Sequence, residues 1–174
     1  MTISLYDVSV ANYLQGLAGL SGVLDKGLAY CKETGIDPET IVETRLIADM
    51  QPFRFQVHQV TRHSLGAIQG LKAGQFGPGM AGKPDDSYAA LQALVAETLL
   101  ALQKLTPAEV NAHTGADMMF AAGERRVPFT AEGFILSFSL PNFYFHATTT
   151  YDILRMKGVP VGKRDYMGGL RMKG

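Results

Sequence analysis

Four histidines, His58, His63, His113 and His146, are the side chains here that titrate near neutrality and ligate metals. A helical interior holds a divalent ion by converging such ligands from facing helices, and two ligands on one helix need a spacing of three or four residues. His58 and His63 are five apart, about 140° on a helical wheel, so both cannot point at one ion. At most one of them joins His146. The place one turn after His146 is held by Thr150, a poor zinc ligand, and Asp152 is the sole carboxylate in the inner half of that helix. His146 carries the most weight. Asn142, His146 and Thr149 fall on or near the apolar arc of Phe138, Phe145 and Ile153, and inward polar groups need partners. Two readings stay open: a satisfied network that sets helix register, or a small polar pocket lined by aromatic rings in which His146 titrates.

Other chemistries lack their residues. There is no Gly-x-Ser-x-Gly elbow for a serine nucleophile. Cys31 stands at the end of the first helix, where the dipole opposes a thiolate, and reads as inert. The stretch Gly74 to Gly82 follows a helix and lacks the Lys-Ser ending of a phosphate loop. From Arg155 to the end, six basic residues (Arg155, Lys157, Lys163, Arg164, Arg171, Lys173) face one acid, Asp165. This is either a solvated terminus lying on an acidic body or an anion site around Lys163 and Arg164.

Helices must position these groups. From Ile3 to about Cys31 the apolar residues, among them Tyr13, Leu17, Leu20 and Leu24, share half a wheel, which predicts one long amphipathic helix. Gly16, Gly19, Gly22 and Gly27 weaken it by about 1 kcal/mol each relative to alanine, so tertiary packing must hold it, and close approach of a neighbour is one way. Gly35 ends it, Asp37-Pro38 starts a short helix to about Thr44, and Pro52 opens a second long helix through Leu71. The glycines from Gly74 to Gly82 predict a loop. Asp85 or Asp86 caps a third long helix from Ser87 to about Leu105. Met118–Ala121 and Arg125–Phe129 form a small hairpin outside the bundle, with Pro128 confining the second strand to an edge. Thr130 caps a fourth long helix to about Lys157, which Gly158 and Pro160 stop. Its apolar residues cover most of its circumference, so either extra segments or a second copy must cover its outer face, and a homodimer is the favoured expectation.

Composition fits one such domain. The chain has 174 residues, 47% of them hydrophobic, enough for one core without disulfides. Cys31 has no partner for a bridge, and nothing in Met1–Asp7 marks the chain for export, so a reducing cytoplasm is expected. The formal net charge is zero, which argues against nucleic acid or an anionic membrane as partner. Pro141, Asn142, His146 and Thr148 to Asp152 interrupt any membrane-spanning run in the last helix. The expectation is an all-α, up-down four-helix bundle with a short extra helix and a small β-hairpin before the last helix. It is a single domain over 1–174 whose tail, 158–174, packs on the bundle.

The run Leu140-Pro141-Asn142-Phe143-Tyr144-Phe145-His146-Ala147-Thr148-Thr149-Thr150-Tyr151-Asp152-Ile153-Leu154-Arg155 carries a resemblance, together with Gly158-Val159 and Gly162 to Gly168. It resembles the signature of an uncharacterised bacterial domain-of-unknown-function family grouped with the DinB-like four-helix bundles. Ser4 to Asp7, Leu24-Asp25-Lys26, Arg45 to Met50, Pro52 and Gln56-Val57 are similar to that family too. The resemblance implies a bundle related to proteins that bind a metal through three histidines, some acting as thiol-dependent transferases or hydrolases. His146 lies in the signature, His58 is near the position of a second-helix ligand, and Thr150 stands where the second histidine of an H-x3-H pair would be.

The leading expectation is a small-molecule site near His146 with Asn142, Thr149 and Thr150, joined by Lys163 and Arg164 if the ligand is an anion, and with no cofactor. The alternative is a metal-dependent hydrolase or thiol-dependent transferase with a reduced site, His58 and His146 holding a divalent ion such as zinc or nickel. A third reading is a homodimeric, stress-linked interaction protein.

Overall fold

The structure is a computed structural model and describes residues 3–78 and 86–173. The chain is mostly helical with one small sheet. Helix α1 (Leu5–Val8) is capped by Ser4, whose hydroxyl and backbone share a capping box with Asp7. It does not run on as one rod. Ser9, at φ −115° and ψ −86°, breaks the helix and donates its hydroxyl to the Leu5 carbonyl at 2.6 Å, so the long helix is α2 (Val10–Thr34). Gly35 ends α2 in the left-handed region at φ 71°, with the Ile36 N–H on the Cys31 carbonyl. Helix α3 (Glu39–Val42) follows, the Asp37 carboxylate accepting from the Glu39 N–H at 3.0 Å.

The second rod contains α4 (Phe53–Thr61), a π-helical turn (Arg62–Gly66) and α5 (Ala67–Ala73). Helix α6 (Tyr88–Gln103) is capped by Ser87 rather than by an aspartate, its hydroxyl accepting from the Ala90 N–H at 3.1 Å. Asp86 instead bonds His58, and Asp85 lies outside the described residues, as do Gly79 and Gly82. Helix α7 (Pro107–Asn111) carries a capping box of Thr106 and Glu109. The last rod is α8 (Ala131–Phe134), a second π turn (Ile135–Ser139) and α9 (Leu140–Met156), begun by the expected Thr130 cap. A short helix, α10 (Lys163–Met167), follows.

The hairpin forms, with a third strand. Inside the stretch expected to be loop, β1 (Gln75–Phe76) pairs in parallel with β2 (Asp117–Ala122), which pairs antiparallel with β3 (Arg125–Thr130). Pro128 sits opposite Met119 on the outer strand, where its missing N–H breaks no ladder. The sheet does not stand apart from the helices. Phe76 and Met118 are buried in the main core, and the Phe138 ring lies 4.9 Å from Phe120 and 5.6 Å from Phe134. An aromatic cluster therefore joins the sheet to the second π turn, because packing these rings together takes their apolar surface out of water.

Helix α2 packs against α6, α9 and α10, and α4 packs against α6 and α9. The glycines of α2 permit these contacts. A Cβ at Gly16 would press on the Phe143 ring, at Gly19 on the Tyr166 carbonyl, and at Gly27 on the Tyr88 hydroxyl, whereas Gly22 faces open space. On the last rod Phe134, Phe143, Ile153 and Leu154 are buried, while Leu136, Tyr144, Phe145 and Met156 stay 42–56% exposed. The tail lies on the helices through buried Val159 and Val161, a Tyr166–Thr148 hydroxyl bond and a Lys26–Asp165 ion pair at 2.7 Å. Among the described residues no helix is long and apolar enough to cross a membrane.

Candidate functional site

Two helices that pack side by side, α4 with its π turn and α9, bring His63 and His146 face to face. Their ring centroids are 5.9 Å apart and their planes 17° from parallel. Rings of Phe55, Phe138, Phe145 and Phe76 surround the pair at 5.2–5.9 Å. Each imidazole has one nitrogen whose role its neighbour settles. Gln56 donates its side-chain amide N–H to the Gln51 carbonyl at 2.8 Å, which turns its oxygen toward His146 Nδ1, also at 2.8 Å. Nδ1 must therefore carry the proton, leaving Nε2 of His146 as an acceptor. Nε2 of His63 faces a guanidinium nitrogen of Arg62 at 3.2 Å. A guanidinium only donates, so the His63 proton sits on Nδ1. That Nδ1 is buried and has no hydrogen-bond partner among the described residues.

Both rings are held neutral. Burial pulls the His63 pKa down to about 3 and the His146 pKa down to about 4, and the Arg62 charge pushes each the same way. Arg62 itself lies 4.1 Å over the face of Phe76 and donates to the Gly77 carbonyl. The Ser139 hydroxyl donates to the His63 carbonyl at 2.7 Å and meets the Tyr13 hydroxyl at 2.8 Å. One buried serine thereby ties the two π turns to each other and to α2. Such turns re-aim side chains, and they recur at functional sites.

The residues expected around His146 fall elsewhere. Asn142 donates to the Phe138 carbonyl at 2.7 Å, Thr149 to Phe145 at 2.8 Å and Thr150 to His146 at 2.9 Å. Each satisfies a carbonyl one turn back on its own helix, so these inward polar groups belong to α9 itself. Lys163 and Arg164 are exposed on α10, which packs on α2. His113 lies in the turn after α7. His58 turns away from His146 and bonds Asp86 at 2.6 Å. The partners that sequence reasoning missed are His63, Gln56 and Arg62. The 140° separation of His58 from His63 did carry a signal, that only one could meet His146.

A divalent ion does not fit this arrangement. His58 and His146 have separate partners, the imidazole that does meet His146 has a guanidinium on its Nε2, and the Thr150 hydroxyl is turned back onto its own helix. Among the described residues no three histidine, cysteine, aspartate or glutamate side chains gather to hold a metal ion.

Helices arranged in this way are found in a crystal structure of a DinB family member protein from Shewanella denitrificans. It is 26% identical, covers 98% of this chain and 95% of its own, and superposes with a TM-score of 0.81. The class is thus DinB-like. Within it, the chain belongs to the family described as Domain of unknown function (DUF1993), which matches residues 5–167. No curated protein matches the chain.

Proposed function

We propose that this chain is a DinB-like up-down four-helix bundle that binds a small molecule at the His63–His146 pair without a metal. The four rods would be α2, α4–α5, α6 and α8–α9, each covered by its neighbours. The observation that carries the site is the His63 Nδ1 proton, buried without an acceptor among the described residues and beside a second neutral imidazole. Buried donors are almost always bonded, and a ligand acceptor would satisfy this one. The ligand is uncharged or anionic, because Arg62 repels a cation. Its apolar part meets Phe55 and Phe145.

The test is titration of the protein with acetamide and acetate, read on the histidine ring nitrogens by NMR. A saturable shift at His63, with a matching shift at His146 that vanishes in His63→Phe, supports the site. Ring signals unmoved by either probe would remove it.

We further infer that two copies associate through the outer face of α9, where Tyr144, Phe145 and Met156 are exposed. Leu46, Met50 and Phe145 line one shallow depression there. The proposed compartment is the cytoplasm, which suits the free, buried thiol of Cys31.

A further inference from the structure

The C-terminal tail builds a second cavity on the α2 side of α9, next to the α4 side that carries the histidine pair. His146 faces α4 through Gln56, whereas Phe143, three residues earlier, faces α2 through Tyr13 at 5.3 Å. Over that flank the tail crosses α2 at Gly19 and turns at Gly168 (φ 63°), whose backbone lies against Gln15 and Gly19. Gln15 donates to the Met167 carbonyl at 3.2 Å, and Arg171 donates to the Asn12 side-chain oxygen at 2.6 Å. Together they enclose about 260 Å³.

The lining is graded. Phe143 and Ala147 are buried at the base beside Gly16, and Tyr144 and Arg171 are exposed at the rim. Arg171 is the cation of this rim, and its bonded partner is a neutral amide. It makes no ion pair among the described residues. The acids within reach of the tail are engaged: Asp165 by Lys26, and Asp7, which feels the Arg171 charge, by Ser4. The Tyr144 hydroxyl has no hydrogen bond among the described residues and adds a donor at the rim.

We propose that this cavity binds a small carboxylate with a ring-sized apolar body, the carboxylate on Arg171 and the body over Phe143 and Ala147. A planar guanidinium matches a carboxylate with two parallel hydrogen bonds, which its single bond to Asn12 leaves room for. A cavity of about 150 Å³ already accepts benzene, so the space here takes a ring and its acid group. The anion site expected of the basic tail thus falls on Arg171 rather than on Lys163 and Arg164. The cavity shares no residue with the histidine pair, so the two readings stand or fall separately.

The experiment titrates the full chain with benzoate, benzamide and inorganic phosphate and follows backbone amide shifts. Benzoate is expected to move Gly16, Ala147 and Gly168 saturably, about tenfold more tightly than benzamide, and to do so equally in His63→Phe, so that these shifts report the tail cavity and not the histidine pair. Arg171→Gln should erase the preference for benzoate, and Arg171→Lys should keep part of it. Gly16→Ala, which pushes on the Phe143 ring, should weaken benzoate while leaving the tail in place. Equal binding of benzoate and benzamide, or no loss in Arg171→Gln, would overturn the proposal. So would phosphate binding as well as benzoate, because the apolar base would then contribute nothing.

Discussion

His63 and His146 are two imidazoles that the fold keeps uncharged next to a fixed guanidinium. In the unfolded chain each takes up a proton near its ordinary pKa of 6.5, while in the folded protein each resists until about pH 3 and 4. Between those limits the unfolded state binds more protons, so stability is fully present above pH 6.5 and falls as the pH drops toward 4. The slope approaches about 1.4 kcal/mol per pH unit for each histidine. Thermal unfolding measured from pH 7.5 to 4.5 should show a falling Tm, and His63→Phe should flatten that fall by about half. At pH 7 the variant should be no less stable, since it removes a buried donor that has no acceptor among the described residues and keeps a ring among Phe76 and Phe138. An unchanged pH profile in His63→Phe would show that the pair does not govern acid sensitivity.

Among the elements, α2 depends on where its glycines fall. A side chain at Gly19 would strike the Tyr166 carbonyl, and a backbone atom cannot swing aside as a side chain can. Gly19→Ala should therefore lift α10 from α2, breaking the Lys26–Asp165 pair and the Tyr166–Thr148 bond. Hydrogen exchange should show lost protection at Lys163–Met167 with the rest of the protein intact. Gly22 is the control, because nothing lies within 4 Å of a Cβ there. Gly22→Ala should raise stability by up to about 1 kcal/mol through helix propensity alone. If both alanines behave alike, the close approach at Gly19 does not hold the tail. The two π turns work differently, widening their rods so that Ser139 reaches the His63 carbonyl.

At the scale of the whole molecule, the exposed apolar residues of α9 and the neighbouring Leu46 and Ile47, 37% and 63% exposed, should draw two copies together. Light scattering should give a dimer for the intact chain and a monomer for Leu46→Asp combined with Phe145→Asp. A monomer at all concentrations for the unaltered chain would end the dimer reading. The helices themselves were legible in the residues, because burial of an apolar stripe repeats every 3.6 residues and caps such as Thr130 and Gly35 act locally. The hairpin was legible for the same kind of reason, whereas which glycines of α2 meet a neighbour, Gly16, Gly19 and Gly27 but not Gly22, was not. What no local pattern holds is phase between elements. Whether His58 or His63 meets His146 depends on how α4 is rotated against α9. The partner of Phe76 is Phe120, more than forty residues away, and the i−4 bonds of Asn142, Thr149 and Thr150 become visible only with the helix built. Periodicity along the chain thus determined which segments coil and which faces are buried. The meeting of the histidines, the sheet and the tail cavity came from long-range packing, since contacts between distant residues are set by the shape of the whole core.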